Sequence, residues 1–299
     1  MDYKEFLVQM RAAVQAKLGE DTEVTISGLA KNNRQYVDSM CLLPRGANIS
    51  PAIYMEQYYE QYQKGCSIEE LAGGIAAAYS VCGSRRAVDF SFFTDFEKAR
   101  HTIVCKLINY EKNREILSRM PHREFHDLAV VYYCKMEHEL LGKGSIMVDN
   151  EHLKIWGVTE DEIDRLAREN TVRLLPYQIY NMETLLKETF GIDAKGEMSQ
   201  ELPMYVLTNT EKYLGAVNII YDSILDAVAK QLEDDYFVLP SSIHECIIIP
   251  ALKDIRETEL HRMVRDINRE CVADEEVLGD TVYRYDRAKK MLYVTDCRS

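Results

Sequence analysis

The sequence is short of the residues that break, staple or anchor chains. Seven Pro and 14 Gly in 299 residues leave little room for flexible low-complexity linkers. No apolar run approaches the roughly 18–20 residues a membrane-spanning helix needs; the longest, Leu128 to Cys134 and Cys246 to Pro250, have the length of buried strands. The N-terminal stretch MDYKEFLVQMRAAVQAKLG carries acids and bases throughout, with no apolar segment of signal-peptide length. Basic residues are in deficit: 36 Lys+Arg against 49 Asp+Glu give a net charge of −13, which repels a phosphate backbone at long range and argues against nucleic acid as partner. No two of the eight cysteines lie within four positions of each other, so no CxxC half-site for redox or zinc chemistry exists. A Gly-rich phosphate loop, an H-E-x-x-H pair and an EF-hand loop are all missing as well. The expectation is therefore a cytoplasmic protein with reduced thiols, no cofactor, no metal, and no nucleic-acid or membrane partner.

What is present is ordinary globular material: 46% hydrophobic and 28% charged residues, enough to bury a core. Tyr3, Phe6, Leu7, Met10, Val14 and Leu18 recur at spacings of three and four, predicting an amphipathic helix stopped at Gly19. Thr22 to Ile26 and Gln35 to Leu43 read as a hairpin around Lys31-Asn32-Asn33. Pro51 suits a first helical position for a helix to about Lys64, and Ser67 with Glu70 forms a capping box opening another to about Val81. The small, polar and basic break Cys82–Arg86 then marks a boundary, giving a helix–hairpin–helix–helix unit over 1–83 and a larger unit over 84–299.

The second part mixes short apolar runs with helical spacing. Ile103 to Ile108, Leu128 to Met136, Ser145 to Val148, Met204 to Leu207, Tyr236 to Leu239 and Cys246 to Ile249 read as strands, with Gly142-Lys143-Gly144 as a turn. Thr159 and Glu162 make a second capping box, Gly215 to Leu232 and Glu257 to Cys271 read as helices, and Thr281 to Asp286 with Met291 to Thr295 as a closing hairpin. Hairpin-length links favour antiparallel pairing, so the class is α+β, with a mixed, mainly antiparallel sheet and helices in the larger unit.

Four sets of residues carry chemistry. Ser242, His244 and Glu245, in Leu239-Pro240-Ser241-Ser242-Ile243-His244-Glu245, suggest a hydrolase in which Ser242 attacks with His244 as base. No G-x-S-x-G elbow exposes the serine, and the plainer reading is a loop whose hydroxyls cap backbone groups. His122 and His126, with His138 beyond, have ligand spacing only on a helix; in extended chain four residues span some 13 Å. Tyr54, Tyr58 and Tyr62 recur every four residues in a chain with 19 Tyr and one Trp, as a partner surface or as helix packing within the unit. From Lys98 to Arg123, seven basic residues face Glu111, Glu115 and Glu124, either for an anionic ligand or as a solvated face balancing Glu160-Asp161-Glu162-Asp164.

Six phrases together resemble the bacterial family domain of unknown function 5688: Val104 to Asn113, Met120 to Val131, His152 to Val158, Arg173 to Pro176, Tyr236 to Pro250 and Glu275 to Asp286. The resemblance extends from Met1 to about Val294, with PSSIHE and PHREF its most distinctive steps. Residues 103–294 are more distantly similar to domain of unknown function 1444, through Ile155-Trp156-Gly157-Val158 ahead of an acidic helix. These resemblances imply a shared fold and a bacterial cytosolic setting, and transfer no catalytic residue.

The reading that fits the missing catalytic motifs is a cytoplasmic, non-enzymatic binding or interaction protein, with regulation as one use, for an unidentified protein or small molecule. A small hydrolase using Ser242, His244 and Glu245 is the alternative, and a sensor binding through Lys98–Arg123 the third. The loop Pro240–Glu245 is expected at one edge of a sheet between two interior strands, with His244 partly exposed beside a concavity and Ser242 or Glu245 in hydrogen-bond reach.

Overall fold

The computed structural model describes residues 1–30, 32–34, 36–45, 52–83, 95–138, 142–185, 203–252 and 255–295. The chain divides into two compact units, Met1–Phe92 and Phe93–Ser299. The boundary expected at Cys82–Arg86 runs into residues 84–94, which lie outside the described residues.

In the first unit, helix α1 (Tyr3–Leu18) starts where the Asp2 carboxylate accepts the Glu5 amide at 2.8 Å, and turns out at Gly19, whose φ of 75° is left-handed. Strands β1 (Thr22–Ala30) and β2 (Tyr36–Pro44) pair antiparallel, and β3 (Ala52–Tyr54) adds a third strand beside β2. Helix α2 (Met55–Gln63) therefore begins after β3 rather than at Pro51, itself outside the described residues; α3 (Ile68–Gly83) follows. The Ser67–Glu70 box forms as expected, with the Glu70 amide on Ser67 Oγ and the Ser67 amide on Glu70 Oε2. Gln15 clamps helix to sheet: its Nε2 donates to the Thr22 carbonyl and its Oε1 accepts the Val24 amide. Phe6, Met10 and Val14 of α1 meet Val24, Met40, Leu42, Met55, Leu71 and Ile75 in one core. Each such side chain contributes about 1.5–3 kcal/mol by leaving water.

The second unit holds two sheets, and every strand pair described is antiparallel. The first has β4 (Ile103–Asn109), β6 (Leu128–His138) and β5 (His122–Phe125) in that spatial order, with β7 (Gly142–Met147) also on β6. Gly142, Lys143 and Gly144 are thus strand, paired with His138, Glu137 and Met136, and not the expected turn. The other sheet runs β13-β12-β10-β11-β9-β8, built from β8 (Tyr177–Asn181), β9 (Tyr205–Asn209), β10 (Tyr236–Leu239), β11 (Cys246–Pro250), β12 (Tyr283–Asp286) and β13 (Met291–Val294). Strands β10 and β11 sit at its centre, buried throughout, with Tyr236, Val238, Cys246 and Ile248 in one core and Phe237, Leu239, Ile247 and Ile249 in another. Their continuous apolar runs follow from this cover on both faces. The fold is α+β.

The helix Glu160–Leu174 shields the outer edge of β4: Thr171 Oγ1 accepts the Cys105 amide at 2.8 Å, and Asn170 Nδ2 donates to the Ile103 carbonyl at 2.9 Å. Side chains thus satisfy backbone groups that an open edge would offer to another strand. The Thr159–Glu162 box opens this helix as expected, and Glu257–Cys271 is a helix with the expected bounds. The single helix expected over Gly215–Leu232 is two pieces. A 3-10 turn, Gly215–Ile220, buries all six residues; Tyr221 is extended; and an α-helix runs over Asp222–Leu232. Asn218 makes the break, because its Nδ2 is drawn to the carbonyls of Thr208 and Gly215 at 2.7 and 2.9 Å. Among the described residues no helix is long and apolar enough to cross a membrane.

Candidate functional site

Two anchored loops build a concavity lined by the sequence-predicted Ser242, His244 and Glu245. The first is Pro240–Glu245 between β10 and β11. It is zipped to a following segment: the Ile243 amide donates to the Glu276 carbonyl, and the Leu278 and Gly279 amides donate to the Ser241 and Pro240 carbonyls. Ser242 bridges to Val277 and is only 4% exposed. The second loop, 210–214, follows β9. Buried Asn209 holds it from within, its Oδ1 accepting the Glu211 and Tyr213 amides and its Nδ2 donating to the Tyr213 carbonyl. Lys212 and Leu214 take left-handed φ values of 52° and 54°, which non-glycine residues hold only where the surroundings enforce them.

The loops meet at Gly215. Its amide donates to the His244 carbonyl at 2.9 Å, and that same oxygen accepts the Thr208 hydroxyl at 2.8 Å. A Cβ on residue 215 would stand 2.4 Å from Thr208 Oγ1, 2.7 Å from the Asn209 amide nitrogen and 2.8 Å from the His244 oxygen. Only glycine permits that approach.

The His244 ring is held at both nitrogens. The Leu214 amide donates to Nδ1 at 3.1 Å, so Nδ1 is the acceptor and a neutral ring carries its proton on Nε2. Nε2 in turn faces Glu276 Oε1 at 3.3 Å, and the ring packs 5.2 Å from that of Tyr213. Ser242 Oγ accepts the backbone amide of His244 at 3.0 Å, a local turn contact of the kind expected from serine in loops. Neither ring nitrogen is thereby offered to the Ser242 hydroxyl. The His244 side chain is 19% exposed and lines a cleft of about 240 Å³ with Lys212, Ser242, Glu245, Cys271, Val272 and Glu276. Burial pushes the Glu245 carboxyl above its ordinary range; His244 opposes this and Glu276 adds to it.

The sequence reading found Ser242, His244 and Glu245 but not Glu276, Lys212, Tyr213 or the Leu214 amide. Glu276 lies 32 positions from His244, and no spacing rule joins them. The remaining candidates stand elsewhere. Tyr58 and Tyr62 pack against the core of the first unit, Tyr62 with its ring 5.4 Å from Phe6; Tyr54 is on β3 and 40% exposed. His122 is on β5 and not on a helix, its Nδ1 donating to the Met120 carbonyl. His126 occupies a turn at φ 55° between the rings of Phe125 and Tyr283. The His138 side chain lies outside the described residues, among which no three His, Cys, Asp or Glu gather as metal ligands. In the basic stretch, Lys98, Arg100 and Arg114 pair with Asp95, Glu97 and Glu111, and Arg123 bridges to Glu160 and Asp161 of the acidic run. Cys105, Cys134 and Cys246 are buried free thiols, those of Cys105 and Cys134 pushed up to about 12 chiefly by burial, whereas Cys66 and Cys271 are exposed.

The model of a family of unknown function, DUF5688, matches residues 3–287. The chain belongs to that family. No curated protein and no solved structure matches it. All residues of the His244 cleft fall within the part matched to DUF5688.

Proposed function

We propose that this member of DUF5688 is a cytoplasmic, non-enzymatic binding protein whose recognition site is the His244 cleft. The observation that carries the reading is the double anchoring of the His244 ring, on the Leu214 amide and on Glu276. A general base for Ser242 needs a free acceptor nitrogen within reach of the hydroxyl, and here both nitrogens are engaged. Ser242 Oγ is occupied by a backbone amide instead. What the cleft offers is a set of polar groups around the anchored His244 ring: the carboxyls of Glu245 and Glu276 and the Lys212 amine. Such groups on tightly hydrogen-bonded loops suit recognition, since little ordering remains to be done when a ligand arrives.

The test pairs two measurements on the full chain. A fluorophosphonate probe should leave Ser242 unlabelled, and a library of small polar compounds screened by thermal shift should give hits that vanish in His244→Ala and Glu276→Gln. Labelling of Ser242 that depends on His244 would replace this reading with the hydrolase. Hits that persist in both variants would remove the cleft as the recognition site.

A further inference from the structure

Strand β4 carries a lysine where its neighbours are core. Ile103, Cys105 and Leu107 face the main core of the second unit, while the opposite face of the same sheet has a thinner apolar cover made by Ile108, Ala129, Val131 and Leu117, with Ile116 and Met147 at its margin. Lys106 belongs to that second face. It pairs with Val131 of β6, and Val131 pairs with His122 of β5, so all three side chains leave the same face of the sheet in one row. Two inter-strand steps separate the backbones of Lys106 and His122 by about 10 Å, a span that the lysine stem and an imidazole together can close.

Among the described residues no carboxylate or hydrogen-bond partner meets the Lys106 amine. Glu124, in the next row, is exposed, and Glu111 in the covering segment is exposed and bridged to Arg114. Residue 106 as a whole is half-buried, keeping part of its surface open to solvent. His122 is the one imidazole in the row. Its Nδ1 donates to the Met120 carbonyl at 3.0 Å, which leaves Nε2 as the unprotonated nitrogen of a neutral ring.

We propose that Lys106 is a nucleophilic amine that captures small neutral aldehydes as an imine, with His122 as the group that relays protons. The Nζ lone pair forms a bond to the carbonyl carbon, and the carbonyl oxygen gains a proton as nitrogen loses one, giving a carbinolamine. Loss of that hydroxyl as water, with a second proton moved by His122 Nε2, completes the C=N bond. The balance is amine plus aldehyde to imine plus water, with nothing oxidised or reduced, and the step is stoichiometric and reversible. Desolvation lowers the Lys106 amine to about 8, so its neutral, reactive form is common near neutral pH. At pH 7 this raises the free-amine fraction about 300-fold over an ordinary lysine, an advantage partly offset by weaker basicity and narrower access. The proposal is independent of the His244 cleft.

The test uses the intact protein with propanal and cyanoborohydride at pH 7, trapping the imine as a secondary amine read by peptide mass mapping. Lys106 should label at least tenfold faster than the other ε-amino groups, with a rate midpoint near pH 8, and should fall to the common rate in urea. His122→Phe should slow labelling severalfold without moving that midpoint. Labelling of Lys106 no faster than that of the other lysines, or an advantage that survives urea, would overturn the proposal. An unchanged rate in His122→Phe would overturn the part given to His122.

Discussion

His244 and Lys106 both set a basic side chain among buried neighbours of the second unit, and they do so in opposite ways. His244 is surrounded by polar groups that answer it: an amide at Nδ1, a carboxylate at Nε2, and a glycine amide and a threonine hydroxyl on its carbonyl. Lys106 leaves a sheet face whose other side chains, Ile108, Ala129 and Val131, are apolar, with its amine unanswered among the described residues. A polar group whose bonds are all made is fixed in orientation and protonation, which suits recognition; a desolvated amine without a partner gives up its proton easily, which suits covalent chemistry. Burial alone therefore does not decide what a basic residue does. The partners do.

The sharpest way to break this contrast is at the junction that holds His244. Gly215→Ala sets a Cβ against backbone atoms on two sides, and we expect a loss of about 3 kcal/mol in chemical unfolding, since overpacking against backbone has little room to relax. A loss below about 1 kcal/mol would mean that the two loops are not locked together. Next in size is Lys106→Met, which keeps the aliphatic stem and deletes the charge; it should stabilise the protein at pH 7 by about 1–2 kcal/mol, less than the full desolvation cost because part of the residue stays wet. The sign can be followed by pH. The folded-state value of about 8 lies below the ordinary 10.5, so between them the unfolded chain holds a proton that the folded chain has released. The contribution of Lys106 to stability should thus rise with pH across 8 to 10.5 and stay constant below 8. Unfolding midpoints of wild type and Lys106→Met should converge over that window, and curves that stay parallel would contradict it.

His244→Ala should cost less than about 1.5 kcal/mol in stability, because the ring is partly exposed and the backbone bonds of residue 244 survive the change. Its effect should be felt in ligand binding instead, by at least tenfold. The smallest expected effect is Arg123→Gln, which removes the bridges to Glu160 and Asp161 at the surface and should move stability by no more than about 0.5 kcal/mol. A larger loss would promote that exposed pair above its place.

Much of the fold was legible in the sequence because it rested on local rules. The capping boxes Ser67–Glu70 and Thr159–Glu162 and the helix Glu257–Cys271 are written in side chains three and four apart. The continuous apolar runs of β10 and β11 likewise announce strands covered on both faces. Errors arose where a tertiary partner overrode local preference. The apolar spacing of Gly215–Leu232 is compatible with one helix, but Asn218 reaches back to β9 and splits it. Gly142 and Gly144 look like a turn and lie in a strand because β6 extends far enough to pair with them. The half-buried strand β8, Tyr177–Asn181, has no apolar run to mark it. The cleft was legible by half: Ser242, His244 and Glu245 are contiguous, whereas Glu276 and the Leu214 amide reach the same place only through the fold. Lys106 was read only as one of the seven basic residues of the Lys98–Arg123 stretch, since a lysine within VCKLIN gives no sign of which face it takes until β4 is paired.

The central claim is that His244 is a clamped, neutral recognition group, and the imidazole 15N chemical shifts of the folded protein test it most directly. The account predicts an unprotonated Nδ1 and a protonated Nε2 at neutral pH, with Glu276→Gln changing the Nε2 signal and Ser242→Ala leaving both nitrogens essentially where they were. A ring protonated on Nδ1, or shifts that follow the Ser242 hydroxyl and ignore Glu276, would contradict it.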